Sequence, residues 1–420
     1  QVKIALIACR DAMAELGIEV PVMVSITVEA TGTMLVGSDV AAAVAAIEPF
    51  GVFSLGLNCA TGPAMMASHI RTLAQTWPGR ISCIPNAGIP QIVDGRTAYP
   101  LTPAAFAEHL KAFVVTDGVS IVGGCCGTTP EHIAALGAAL EGAAPAARSP
   151  AYTPSLASAY EAVPIAQPLG PLLIGERANA NGSKAFRELL LADDFTGAAA
   201  VVTAQVADGA HAVDLCTAYA GRDEKADMTA LVRLAAGGAR APLVIDSTTP
   251  DVIEACLKLI GGRPIINSIN LEDGGANLGR ICTLAKRFGA AVIALTINES
   301  GMAMTAAAKA ATARAIVDLA VDTYGLRPCD LLLDPLTFTI GSGDASLVDA
   351  AEQTLEGIRR IKAELPGVHT SLGVSNISFG LGRHARRVLN SVFLHEAMDA
   401  GLDAAIIDAG KVVPGAQIDR

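Results

Sequence analysis

Between residues 172 and 410 the chain repeats one pattern eight times: a short apolar run, a polar or glycine-bearing end, then a helical stretch. The runs are LLIGE (172–176), AVDLC (212–216), PLVID (242–246), PIINSI (264–269), AAVIALTI (290–297), CDLLLDP (329–335), HTSLGVSN (369–376) and AAIIDAG (404–410). Near-continuous apolar runs are strands buried on both faces, which requires a parallel sheet covered by helices. Eight such units in about 250 residues predict a closed (β/α)8 TIM barrel. A doubly wound open sheet would take fewer strands or looser spacing.

Four further runs come first: PVMVSIT (21–27), VFSLGLNC (52–59), ISCIPNAG (81–88) and VSIVGGCC (119–126). Four parallel strands do not close a barrel. The spacing therefore predicts an open sheet or the C-terminal part of a truncated second (β/α) barrel. A helical pattern that begins directly at Gln1 favours truncation. Between Gly142 and Pro171 lie prolines 145, 150, 154, 164, 168 and 171, a composition that resists regular structure and predicts a linker. The expected domains are 1–141, a truncated barrel; 142–171, the linker; and 172–420, the closed barrel.

The chain is 51% hydrophobic and 17% charged, so a membrane span has to be considered. The longest uncharged stretch, 49–68, is interrupted by Pro49, Gly51, Gly56, Asn58, Gly62 and Pro63, and no run approaches the ~20 apolar residues of a spanning helix. A net charge of −11, with one local basic cluster at Arg383, Arg386 and Arg387, disfavours nucleic acid and anionic membrane as partners. Nine cysteines without an export signal read as thiols or metal ligands, and the cytoplasm is the expected location.

Three cysteines stand apart. Cys59 ends one apolar run, and Cys125 and Cys126 end another, between glycines that permit a tight turn. In parallel strand–helix folds the C-terminal strand ends form the functional face, so these sulfurs can converge across a wide sequence gap. Three thiolates suit Zn²⁺ with its fourth position open, and a thiol entering that position loses its proton. For Cys9, Cys83, Cys216, Cys256, Cys282 and Cys329 an ordinary buried thiol is the simpler reading.

The strand ends of 172–410 carry a second set: Glu176, Asp214, Asp246, Asn267, Asn298, Asp334, Asn376 and Asp408. A polar ring at one barrel mouth suits a hydrogen-bonding heterocycle, since carboxylates accept from an amidine edge and Asn both donates and accepts. Taken singly, Asp334 can shape a turn and Asp246 can cap a helix. His211, His384 and His395 read as structural or surface residues.

The motifs GLNCATGP (56–63), PNAGIP (85–90) and GGCCGTTPEH (123–132) resemble the homocysteine-binding domain of the cobalamin-dependent methionine synthases and related homocysteine and S-methylmethionine methyltransferases. The resemblance implies zinc on Cys59, Cys125 and Cys126, with homocysteine as the fourth ligand. GERANANGSKAFRELL (175–190), VIDST (244–248), IINSIN (265–270), LLDPLTFTI (332–340) and GVSNISFGL (373–381) resemble the folate domain of the same family. That implies 5-methyltetrahydrofolate as substrate, a pterin held by Asp246, Asn267, Asp334 and Asn376, and catalysis by Asn376 near N5 together with Asp214. Many members have an Asn-containing sequence where this chain has Leu215 and Cys216. In such enzymes the methyl group travels by way of cobalamin, expected here on a domain outside this chain, to zinc-bound homocysteine. The alternatives are a methyltetrahydrofolate:corrinoid protein methyltransferase using only the second barrel, a dihydropteroate-synthase-like enzyme, and a folate-binding scaffold. Asp408-Ala-Gly-Lys411 lacks the Arg-His pairing of the dihydropteroate synthases.

Overall fold

Apolar runs too short for helices pair into two parallel sheets, one in each of the two units of the chain, Gln1–Thr153 and Pro154–Arg420. The computed structural model describes residues 1–341, 344–414 and 417.

In the first unit, strands β1 (Met23–Ile26), β2 (Ser54–Asn58), β3 (Arg80–Ile84) and β4 (Ile121–Val122) lie side by side in chain order, all parallel. Helices Val40–Ile47, Pro63–Thr76 and Pro103–Asp117 separate them, two with proline in the first turn, where a missing N–H costs nothing. Leu55, Leu57, Ile70, Leu73, Ile81, Phe106 and Leu110 are fully buried in one core. The run VSIVGGCC is strand only over two residues, because Gly123 and Gly124 leave the sheet. Cys125 and Cys126 thus sit in the turn beyond the strand rather than at its end.

The second unit opens with an antiparallel hairpin, β5 (Ser155–Ala157) and β6 (Ala162–Pro164). Eight parallel strands follow: β7 (Leu172–Asn179), β8 (Ala212–Cys216), β9 (Leu243–Asp246), β10 (Ile265–Leu271), β11 (Ala291–Asn298), β12 (Leu331–Asp334), β13 (His369–Gly373) and β14 (Ala404–Ile407). Each pairs with the next, and β14 pairs back onto β7, so the barrel closes as the eight runs require.

Side chains alternate across a strand, so every second residue enters the barrel. Leu172, Ile174, Ala212, Val244, Ile265, Ala291, Ile293, Leu332 and Ala404 form its apolar interior together with Leu156 and Ile165 of the hairpin region. The hairpin is bonded to Arg263, just before β10, through Ala157 N to Arg263 O (3.1 Å) and Arg263 N to Ala157 O (2.8 Å). The Arg263 side chain is itself fully buried; it donates to Ser155 O at 3.0 Å and pairs with Asp330. These groups all precede strand starts, so the hairpin closes the N-terminal end of the barrel.

The proline-rich stretch 142–171 is therefore divided. Ala146 and Ala151 bond Val114 and Gln75 of the first unit, while 154–165 caps the barrel of the second. Pro154 and Pro164 are accommodated because one precedes β5 and the other is the last residue of β6, so neither removes an amide donor from a strand interior. Among the described residues no helix is long and apolar enough to cross a membrane.

Candidate functional site

In the first unit, Cys59 lies one residue beyond β2 and both it and Ala60 adopt left-handed backbone conformations (φ 60° and 54°). That costs about 1–2 kcal/mol per non-glycine residue, so local structure must enforce it. Cys59 N donates to Ile84 O at 3.1 Å, beside β3. The Cys125–Cys126 turn is fixed by Cys125 N to Pro85 O (2.9 Å), Cys126 N to the buried Asn86 Oδ1 (3.1 Å) and Ala87 N to Cys126 O (2.9 Å). Gly127 has φ 77°, and a Cβ there would stand 2.1 Å from the Tyr99 ring, so only glycine fits.

The result is a cluster whose sulfurs all lie within 4.8 Å of one another. Cys59 Sγ is 3.7 Å from Cys126 Sγ, and Cys125 Sγ is 3.9 Å from Cys126 Sγ. Tetrahedral zinc with Zn–S of about 2.3 Å sets neighbouring sulfurs about 3.8 Å apart, so donor type and spacing both fit. Cys125 is pushed up to about 11 by desolvation and by the neighbouring thiols, whereas Cys59 is lowered, first by the hydrogen bond from the Ala60 backbone. Crowded thiolates repel, and a divalent cation relieves that repulsion. Cys83, Cys216, Cys256 and Cys282 are buried, but Cys9 is exposed and Cys329 half-buried, against the expectation of buried thiols there.

In the second unit, the alternation that puts Ile174, Ala212, Val244, Ile265 and Leu332 inside the barrel puts Glu176, Asp214, Asp246, Asn267 and Asp334 one step nearer its C-terminal mouth. Asn267 Nδ2 donates to Asp214 Oδ1 at 3.1 Å. Asp214 is held well above the usual carboxylate range by burial and by the negative charge of Asp246. Burial raises Asp246 to about 6. Asp334, only 4% exposed, is likewise raised to about 6 by burial, although Leu336 N donates to its Oδ1 at 2.8 Å and Ser371 Oγ lies 3.4 Å from its Oδ2. Asn376 stands exposed on the short helical turn Val374–Ser378 that follows β13.

Glu176 accepts from Ser375 Oγ at 2.8 Å, which ties β7 to the turn carrying Asn376. Asp408 pairs with Lys411 at 2.5 Å. Asn298 is the exception in the predicted ring. Counting in twos from Ala291 and Ile293 puts it on the outer face, where its Nδ2 donates to Thr312 of helix Ala306–Asp318 at 3.1 Å. His211 is structural as expected, accepting from Leu173 N at 3.0 Å. Sequence reasoning passed over Lys309, fully buried behind Asp334; Cys216, read as an ordinary buried thiol, is buried, and burial and the Asp246 and Asp214 carboxylates push its thiol up. A lysine repeating the helical period of buried alanines was the signal for Lys309.

Residues 175–408 match the family model described as pterin binding enzyme, and residues 1–140 match homocysteine S-methyltransferase. The chain is 46% identical to methionine synthase of Mycobacterium tuberculosis (strain ATCC 25618 / H37Rv) over 417 residues, 99% of this chain and 35% of that protein. It is also 46% identical over 422 residues to methionine synthase of Mycobacterium leprae (strain TN), with the same shares covered. It thus spans about a third of the length of these relatives. Among solved structures, dihydropteroate synthase from Thermus thermophilus matches at 22% identity with a TM-score of 0.44, covering 61% of this chain and 95% of that one.

Proposed function

The chain belongs to the pterin-binding enzyme family, and from that premise we propose that it is the substrate-holding part of a methionine synthase, a methyltransferase that joins 5-methyltetrahydrofolate to homocysteine by way of cobalamin. Residues 1–141 take homocysteine and residues 172–420 take the folate. Cobalamin is held outside these 420 residues, and the reducing cytoplasm suits the free thiols.

The observation that carries this reading is the three-sulfur cluster, with separations of 3.7 and 3.9 Å. Cys59, Cys125 and Cys126 hold zinc. When bound, the metal supplies Lewis acidity that lowers a substrate thiol's pKa and keeps its sulfur anionic and nucleophilic. The left-handed backbone at Cys59 and the Asn86-anchored turn keep the sulfurs converged, so little reorganisation accompanies binding.

In the barrel, Asp246, Asn267 and Asp334 take the hydrogen-bonding edge of the pterin, and Asn376 faces N5. Methyltetrahydrofolate is a poor donor until N5 is protonated, because the leaving nitrogen is otherwise an anion. An amide does not titrate near neutrality, so Asn376 orients that hydrogen bond. Two buried carboxyls on neighbouring strands do not both ionise readily, so burial and the charge of Asp246 favour the protonated form of Asp214. Asp214 and Asp246 therefore make a proton store within the pterin pocket.

Zinc content and substrate binding test the reading. Wild type should hold about one zinc per chain, the stoichiometry of a single three-thiolate site. Cys59→Ala and Cys126→Ala should each lose it while methyltetrahydrofolate binding persists. Zinc-free wild type that still binds the folate would favour the methyltetrahydrofolate:corrinoid protein methyltransferase instead. With both substrates present, methyl transfer should require added corrinoid.

A further inference from the structure

Lys309 is 0% exposed, in the first turn of helix Ala306–Asp318. An unpaired buried ammonium is costly, so its contacts identify its work. Its Nζ donates to the carbonyl of Pro335 and, at 3.4 Å, to that of Leu336. It also lies 4.9 Å from the centroid of the Phe338 ring. Asp334, the last residue of β12, is the charged group that faces it.

The loop gripped in this way is strained. Leu336 has φ 64°, a left-handed conformation that a branched side chain adopts at a cost of about 1–2 kcal/mol. That conformation aims Leu336 N at Asp334 Oδ1, 2.8 Å away. Leu336 O, turned the other way, accepts from Thr354 Oγ1 at 2.9 Å as well as from Lys309. Room for the lysine stem comes from Gly357 in helix Ala350–Glu364, where a Cβ would stand 2.9 Å from Lys309 Cδ.

We propose that Lys309 is a positioning residue for pterin binding: its ammonium clamps the Pro335 and Leu336 carbonyls, holds the loop in its left-handed turn, and thereby fixes the Asp334 carboxylate toward the barrel interior. It touches no substrate itself. The inference rests on the assignment of Asp334 to the pterin site. Two of the three ammonium donors are spent on consecutive carbonyls of one turn, and a second element, through Thr354, grips the same turn.

Burial lowers Lys309 to about 8, so the clamp weakens within an accessible range. As pH rises through that value the ammonium becomes an amine, and the charge-assisted bonds become ordinary ones.

Calorimetric titration of the 420-residue chain with 5-methyltetrahydrofolate, from pH 6.5 to 9, tests the proposal. Wild-type affinity should fall by about threefold across that range, the scale of losing charge assistance on buried hydrogen bonds. Lys309→Met should bind about tenfold more weakly at pH 7 and show no such fall. Thr354→Val, which leaves the lysine in place, should weaken binding by about threefold and keep the pH step. Zinc content should be unchanged in both. Wild-type affinity for Lys309→Met overturns the clamp and leaves the functional reading standing. If that variant does not fold, a flat wild-type profile or full affinity in Thr354→Val overturns it equally. A wild type that binds no methyltetrahydrofolate overturns the functional reading, and the clamp with it.

Discussion

Asp246 carries a conflict between stability and function that one atom can expose. Burial raises its carboxyl to about 6, so the folded chain binds a proton that the unfolded chain has already lost. The sign follows directly: this contribution is complete below the unfolded value of about 3.9 and is lost as pH rises through the folded value, each pH unit between the two being worth about 1.4 kcal/mol. Asp334 behaves alike, also at about 6. Urea unfolding followed on the barrel unit should therefore give a wild type that loses stability between pH 4.5 and 6.5 through these groups. Asp246→Asn, isosteric and uncharged, should stabilise the barrel at pH 7.5 by roughly 1–3 kcal/mol and flatten part of that slope. The same change should weaken methyltetrahydrofolate binding by about tenfold or more, since an amide cannot accept twice from an amidine edge. Equal stability with undiminished affinity would remove Asp246 from the pterin pocket.

At the level of elements, turns and plugs are what hold these residues in place. Gly127 has φ 77° and no room for a Cβ beside Tyr99, so Gly127→Ala should displace the adjacent cysteine pair. Zinc retention against a chelator should drop sharply while folate binding in the other unit stays unchanged. Leu156, wholly buried in the barrel's apolar interior, should behave differently: Leu156→Ala should cost about 2–5 kcal/mol in the barrel and leave zinc content alone. The eight strands were legible in the sequence because burial on both faces makes each a continuous apolar run. The cysteine cluster was legible because strand ends converge, although the pair sits in a turn past β4. The cap formed by β5 and β6 was not, since Pro154, Pro164 and Pro168 read as breakers, and an edge hairpin tolerates them. Asn298 was misassigned to the ring because composition does not reveal parity: it is polar, at a strand end, and on the outer face. Lys309 was overlooked because a lone lysine among alanines reads as a solvated face, and only the fold brings consecutive carbonyls to meet it.

For the molecule as a whole, the decisive property is that each unit closes its own core: Leu55, Ile70 and Phe106 pack in one, and Ile174, Val244 and Ile293 in the other. A ligand stabilises only what it binds, by about 2.7 kcal/mol at a hundredfold excess over Kd. Scanning calorimetry should then resolve two transitions that respond separately. Methyltetrahydrofolate at that excess should raise the transition of the barrel unit by roughly 5–10 °C and leave the other unmoved. A zinc chelator should lower the transition of the thiol unit alone, and Cys126→Ala should abolish that response without touching the folate shift. One transition that moves with both ligands would mean that the two cores unfold as a single cooperative block. Separate responses matter for the proposed methyl transfer, in which a methyl group that leaves one site before it reaches the other does not require both substrates to be bound at once. Under the proposed function, two independently stabilised units let each site fill and empty on its own, with the corrinoid as the shared reactant.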